Sequence, residues 1–587
     1  MFRYIAVAWN EADEGHSAAA QLLISQLRQS SRGWITALAL PGLQIFHACS
    51  RPGSTEAYAL PRRAGVLLGT LFEACSAGTE APQRKQKFSI TDTDRILATG
   101  ARSLIADHWG RYVAFAHDAA QRRTFVVRDP TGGLPCYHAA FREVHLFFSS
   151  AEDCAGLGLL DLPVDWEFIA QHVAAASPDS KSVMQAGTIP ATQRTAIKRI
   201  SVVLPGEHIE ICHGIMTRSL AWDPLQIAQS DPIEDGDLAA TQLRRAAKAC
   251  IHAWAACYRG VLHSLSGGLD SAIVLGCLRD THDRPAITCL NYHSRGSDAD
   301  ERYFARLAAN HANCPLLEWE RDNAMRLDDL LAMERSAAPA NYLNWLQVSR
   351  REARLAREIS ADAIFSGDGG DELFYRNQGI LGAADFLRGS GVSRRFIEVA
   401  LDAAHVENCS LWHVIREAFK HRRVQGDVPP GKRLHAATLC VSQEYYDPLG
   451  SAEHPERVQP LLSQPLIELC LRIPTYLLAG KGWDRAVARQ AFSEDVPREI
   501  LRRRSKAGLN ENILDVLSRN LDAAREFLLD GELVAHRLLD RSTMEAALAD
   551  GAGEDKELAC ELFDHLSTEA WLRTWKSPAQ HTPRALS

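Results

Sequence analysis

Apolar and polar positions alternate in short runs through the first 214 residues. Runs 2–8, 110–116, 123–127 and 144–148 are continuous or period-two apolar, the pattern of strands with one or both faces covered. Turn-rich pieces such as Arg128-Asp129-Pro130-Thr131-Gly132-Gly133 separate them, and helical spacing interrupts near 16–28 and 166–175. This predicts an α+β domain built on sheets over 1–214. Residues 215–237, with Trp222-Asp223-Pro224 and the acidic run Ser230-Asp231-Pro232-Ile233-Glu234-Asp235-Gly236-Asp237, read as a linker.

The period changes after the linker. Leu243, Ala247, Cys250 and Trp254 mark one apolar face of a helix, and short apolar runs at 261–265, 286–292, 316–319 and 363–365 then alternate with helical stretches at 270–278, 298–311 and 343–359. Apolar strands alternating with helices predict a doubly wound parallel sheet, so 238–575 is expected to be an α/β domain, helical from about residue 386 onward. The tail 576–587 is expected to fray.

Composition narrows the class. At 587 residues with 46% hydrophobic and 24% charged residues, the chain has the make-up of a multidomain globular protein, and a net charge of −8 gives no global reason to bind nucleic acid. No apolar run reaches membrane-spanning length, and the 14 cysteines lack any Cys-x-x-Cys pair. A cytoplasmic protein with reduced thiols and no membrane partner is the expectation.

Two turns carry the chemistry. The first, His263-Ser264-Leu265-Ser266-Gly267-Gly268-Leu269-Asp270-Ser271, leads from a strand through two glycines into a helix. Glycines let the backbone approach an anion, and the amides and dipole of the new helix favour phosphate. A carboxylate at Asp270 would repel polyphosphate unless a divalent cation lay between them, which predicts Mg2+. No Gly-x-x-x-x-Gly-Lys-Ser/Thr loop occurs, which points away from γ-phosphoryl transfer. The second turn, Ser366-Gly367-Asp368-Gly369-Gly370-Asp371-Glu372, follows an apolar strand of the same inferred sheet, so its carboxylates should face the same mouth.

The pair Ser266-Gly267-Gly268-Leu269-Asp270-Ser271 and Ser366-Gly367-Asp368-Gly369-Gly370-Asp371-Glu372 resembles the ATP pyrophosphatase motifs of the asparagine synthetase superfamily. Gly110-Arg111-Tyr112-Val113-Ala114-Phe115, Arg128 to Tyr137, Pro205-Gly206 and Trp222 are similar to that family's glutaminase domain. The resemblance implies an Ntn-type sandwich followed by an adenylating domain, with ATP and Mg2+ as cofactors. Glutamine-using members need a cysteine after the initiator methionine as nucleophile; Phe2 stands there, so glutaminase chemistry is expected to be absent. Among members without that cysteine, the run from Pro460 to Leu469, with Arg485-Ala486-Val487-Ala488-Arg489 and Arg502-Arg503-Arg504-Ser505-Lys506, resembles the lasso peptide cyclases. A β-lactam synthetase would carry tyrosine where Asp368 stands.

That resemblance implies adenylation of an Asp or Glu side chain of a leader-cleaved precursor peptide and attack by the peptide's N-terminal amine. A leader-binding protein and a maturation protease are then the expected partners. By the same resemblance Ser266, Gly267, Gly268 and Ser271 hold pyrophosphate, Asp270 and Asp371 bind Mg2+, and the backbones of Leu265, Leu290, Ser366 and Gly367 frame adenosine. Lys506 steadies the transition states, and Asp368 or Glu372 takes the amine's proton. A small-molecule amide ligase and an ammonia-dependent asparagine synthetase remain the alternatives.

Overall fold

The computed structural model describes residues 2–49, 55–74, 83–176, 192–281, 285–293, 300–321, 330–331, 333–339, 342–376, 378–423, 426–442, 455–504, 510–549 and 556–576. Lys506, the start of the helix expected from residue 298, and all but the first residue of the tail 576–587 lie outside them.

Among the described residues twelve strands build two six-stranded antiparallel sheets. They are β1 (Phe2–Ala8), β2 (Ile35–Leu40), β3 (Leu43–Cys49), β4 (Glu56–Leu60), β5 (Gly65–Glu73), β6 (His108–Asp118), β7 (Arg123–Arg128), β8 (Tyr137–Phe141), β9 (Val144–Phe148), β10 (Ser201–Val202), β11 (Glu207–Cys212) and β12 (Ile215–Leu220). One sheet runs β10-β8-β9-β1-β3-β2 and the other β12-β11-β7-β6-β5-β4. Side-chain alternation along β1 shows how they stack: Phe2, Tyr4, Ala6 and Ala8 join Val66, Leu68, Val113 and Phe115 of the opposite sheet in one core. Ile5 and Val7 face the other way, into a cluster with Ala19, Leu23 and Leu27 of the helix Glu14–Gln29. Both faces of β1 are therefore covered, which is why all seven of its residues are buried.

The linker expectation is corrected here. Ile215–Leu220 is a strand, paired through its whole length with β11, so the second sheet continues past residue 214; Pro224–Gln229 then forms a short helix. The alternation Ile215, Thr217, Ser219 is too polar to read as a strand without its neighbour, because β12 is an edge strand with no buried residue.

The remaining chain opens with the helix Gly236–Ala255, which buries Leu243, Ala247, Cys250 and Trp254 as their spacing predicts. Among the described residues five strands follow: β13 (Gly260–Ser264), β14 (Ala286–His293), β15 (Leu316–Glu320), β16 (Ala363–Phe365) and β17 (Glu456–Val458). Their order is β15-β14-β13-β16-β17, and all four neighbouring pairs are parallel. The helix Leu269–Arg279 packs on one face in the same core as Trp254. On the other face Leu355 and Ala356 of the helix Tyr342–Glu358 pack on Leu262, Leu290 and Ile364. This is a doubly wound α/β sheet, and β16 lies beside β13 although about 100 residues separate their turns.

The antiparallel and parallel halves share one core. Phe72 of β5 stacks on Trp109 of β6 at 4.4 Å, and both rings meet Trp254 edge-on. Arg111 of β6 lies over Trp254, forms an ion pair with Glu456 and donates to the Arg457 carbonyl at 3.0 Å. Among the described residues no helix is long and apolar enough to cross a membrane.

Candidate active site

The first turn closes on itself through its serines. Gly268 N donates to Ser266 Oγ at 3.2 Å, the Ser266 and Ser271 hydroxyls lie 3.1 Å apart, and Gly267 takes the left-handed φ of +88° that lets the chain double back. Leu265 is fixed by its neighbour strand: its amide donates to the Leu290 carbonyl at 2.9 Å, and its own carbonyl accepts from Asn291 Nδ2 at 2.8 Å. The helix then starts at Leu269 with Asp270 in its first turn, where the amides have no acceptor inside the helix. His263, fully buried under this turn, donates from Nε2 to the Ser271 carbonyl at 2.9 Å, and burial pushes its imidazole down to about 4. It is a neutral prop at ordinary pH.

The second turn leaves β16 beside it. Ser366 Oγ donates to Asp368 Oδ2 at 2.7 Å, and the short helix Gly370–Leu373 carries Asp371 and Glu372, both half-buried. The two turns touch through their backbones. A Cβ on Gly367 would overlap the Ser271 amide, and one on Gly370 would fall 2.5 Å from the Asp270 Cβ. Ser266, Gly267, Gly268, Asp270 and Ser271 are thereby brought together with Ser366, Gly367, Asp368, Asp371 and Glu372 at the carboxyl ends of adjacent parallel strands, as expected from the motifs.

The two aspartates converge on one atom. Arg485 Nη1 lies 2.9 Å from Asp270 Oδ2, 3.2 Å from Asp270 Oδ1 and 2.9 Å from Asp371 Oδ1. Arg376 Nη1 takes the other Asp371 oxygen at 3.0 Å. Burial would lower the Arg485 guanidinium, but Asp270, Asp484 and Asp371 outweigh it and hold it above its ordinary value. Sequence reasoning placed Arg485 only in a family-like run and gave it no role; it lies 215 residues from Asp270, so no local pattern signals the contact. Glu352 was missed for the same reason. It is 1% exposed in an apparently charged helix, accepts from Ser264 Oγ at 2.7 Å and pairs with Arg457 of β17.

The donor set suits Mg2+. That ion demands hard oxygen ligands and takes one or two carboxylates, completing its shell with water and phosphate oxygens. Two carboxylates meeting at one point meet this need, and among the described residues no group of three or more His, Cys, Asp or Glu offers a fuller cage. Alongside lie exposed Ser266, the glycine backbone and the first turn of a helix, groups of the kind that favour an anion.

The segment leading to Lys506 is anchored on this site. Arg503 forms an ion pair with Glu301 at 2.6 Å and lies over Phe304, while Arg489 Nη2 donates to the Arg503 carbonyl at 3.2 Å. The Glu301 carbonyl backs Gly267, so Arg503 is tied to the residue behind the first turn, while Arg504 lies over Trp483.

Comparison with known proteins agrees with the motifs. The family model of asparagine synthase matches residues 258–573, more than half of the chain. No curated protein matches. Among solved structures, glutamine phosphoribosylpyrophosphate amidotransferase from B. subtilis complexed with ADP and GMP is 10% identical, covering 62% of this chain and 81% of that one at a TM-score of 0.21. An allosteric regulatory enzyme of purine biosynthesis is 9% identical, covering 73% of this chain and 93% of that one, also at 0.21. Neither likeness is close enough to bear on the fold. The match from residue 258 to 573 spans both turns and the parallel sheet that carries them, and on it the chain belongs to the asparagine synthase family, an ATP-dependent amide-forming ligase by that membership.

Proposed function

We propose that the protein closes the macrolactam ring of a lasso peptide. The convergence of Asp270 and Asp371 on one point beside the Ser266 to Ser271 turn is the observation that carries the adenylating half of this reading. An Asp or Glu side-chain carboxylate of a leader-cleaved core peptide attacks the α-phosphorus of ATP, the bond to the bridging oxygen breaks, and pyrophosphate leaves. The peptide's N-terminal amine then attacks the acyl carbon, AMP departs with the C–O electron pair, and the amine gives up its proton.

Each residue has a task in this sequence. Ser266, Gly267, Gly268 and Ser271 hold the departing pyrophosphate, and the backbones of Leu265, Leu290, Ser366 and Gly367 border the adenosine. Asp270 and Asp371 would hold Mg2+, which would supply neutralisation of the charge that develops on phosphate. Asp368, hydrogen-bonded by Ser366, takes the amine's proton, with Glu372 as the second candidate. A strong base is unnecessary, because an α-amine with a pKa of about 8 is already partly neutral near pH 7. Lys506 steadies the adenylation and tetrahedral transition states.

The choice of amine rests on Phe2. Its ring packs between the two sheets and stacks on His47 at 5.5 Å, so the position that would need a thiol nucleophile for glutamine-derived ammonia holds a core residue. The antiparallel half, roughly residues 1–214 with β12, then serves as scaffold for the adenylating half, and the amine comes from the substrate itself. A leader-binding protein and a maturation protease would deliver that substrate in the cytoplasm.

The test is substrate choice. Purified protein with ATP and Mg2+ should release AMP and dehydrate a leader-cleaved core peptide, and should make little asparagine from aspartate and ammonia. Robust asparagine formation, or turnover of a free amino-acid derivative without peptide, would replace the peptide reading.

A further inference from the structure

Arg485 occupies the place this site offers to a cation. Its side chain is 6% exposed, and besides Asp270 and Asp371 it holds Asp484, with Nε 3.0 Å from Oδ2. Two further guanidiniums complete the pattern: Arg376 takes Asp371 at 3.0 Å and Arg489 takes Asp484 at 2.7 Å. Three carboxylates and three guanidiniums interleave, and each carboxylate has a guanidinium partner.

This arrangement opposes a bare metal ion. A divalent cation that takes Asp270 and Asp371 must displace Arg485 Nη1 from both, which leaves a desolvated guanidinium short of partners and close to another positive charge. A polyphosphate arriving with the metal changes the balance, because the displaced guanidinium then finds phosphate oxygens, for which its planar fork is well matched. The geometry permits this, since the first turn and Asp270 are contiguous in one helix start.

We propose that Arg485 is an exchangeable counter-cation: it holds Asp270 and Asp371 together until metal and polyphosphate arrive together, then transfers its ion pairs from carboxylate to phosphate. Binding of metal and of polyphosphate is thereby made cooperative by one side chain. The inference rests on the reading of Asp270 and Asp371 as the Mg2+ pair. It assigns Arg485 a positioning role before any chemistry begins.

Mn2+ binding to the full chain, followed by electron paramagnetic resonance with and without inorganic pyrophosphate, reads this directly. Wild type should bind Mn2+ alone weakly and gain at least about tenfold in affinity when pyrophosphate is present. Arg485→Gln should bind Mn2+ alone about tenfold more tightly than wild type and lose most of the gain from pyrophosphate, by reciprocity of the coupling. Arg485→Lys, which keeps the charge, should retain much of it. Equal Mn2+ affinity in wild type and Arg485→Gln, or an unchanged gain from pyrophosphate, overturns the exchange while leaving the metal pair in place. If Arg485→Gln fails to fold, the wild-type arm still decides, because Mn2+ bound equally well with and without pyrophosphate contradicts the proposal. Absence of Mn2+ binding under both conditions would remove the metal reading and this inference together.

Discussion

Gly367 lies directly against the backbone amide of Ser271, so the turn after β16 and the turn after β13 meet through main chain at a point that leaves no room for a side chain. Three residues on, Gly370 meets the Asp270 side chain in the same way. The distance between the two acidic turns is therefore set by the absence of two Cβ atoms. Alanine at either glycine should push the turns apart; overpacking of this kind costs about 1–3 kcal/mol of stability. A displacement of about 1 Å at a reacting centre can cost about a hundredfold in rate. AMP formation by Gly367→Ala and Gly370→Ala, compared with their melting curves, separates the two effects: turnover should fall far more than the folded fraction.

Asp270→Asn and Asp371→Asn keep size and hydrogen bonding but remove the charge that Arg485 now balances. Each should lower adenylation by about two to three orders of magnitude, as for loss of one electrostatic contact to the transition state. Because both carboxylates serve one point, the double variant should lose little more than either single one. Rates for the four proteins under identical ATP and metal concentrations check this; additive losses would mean the two carboxylates act separately.

His263 gives the site a pH signature in stability. Its native pKa is depressed from 6.5 to about 4, so between these values the unfolded chain binds a proton that the native chain does not. Stability contributed by the neutral imidazole is thus present above pH 6.5 and lost as pH falls toward 4, by about 3 kcal/mol in all. His263→Gln can still donate to the Ser271 carbonyl without titrating. Urea unfolding from pH 7 to pH 4 should show a shallower loss of stability in this variant than in wild type; parallel curves would remove His263 as a source of the acid sensitivity.

The sequence made the local elements legible and concealed what joins them. The helix Gly236–Ala255 and the strand β14 are each specified by their own periodicity, and both turns are punctuated by glycine, so they were readable without neighbours. β17 was not, because three residues at the far edge of the sheet, Glu456–Val458, carry no pattern of their own and pair with β16 only after a long helical excursion. The same holds for β12, whose polar alternation reads as linker until β11 is placed beside it. In the site, Asp270, Asp371 and Asp368 were legible because each sits in a glycine turn at a strand end. Arg485, Arg376 and Glu352 were not, since an arginine or glutamate among other charges looks like a solvated face.

The antiparallel half should be a structural partner of the parallel-sheet half. Arg111 spans the two, with Trp254 under its guanidinium and Glu456, Tyr258 and the Arg457 carbonyl as its polar contacts. Arg111→Ala leaves Glu456 only partly satisfied in a largely buried place, a loss of about 1–3 kcal/mol. Calorimetry should show a lower melting temperature, with the two halves beginning to melt in separate steps. A single unshifted transition would mean the interface does not depend on this arginine.

The central claim is that the two turns form one adenylating site, and the products of ATP report on it most directly. Phosphorus NMR of the wild-type reaction with ATP, Mg2+ and a leader-cleaved core peptide should show AMP and pyrophosphate in equal amounts, one pair for each amide formed, and a release slower by about two to three orders of magnitude with Asp270→Asn or Asp371→Asn. ADP and orthophosphate as products, or undiminished AMP release in those two variants, would contradict it.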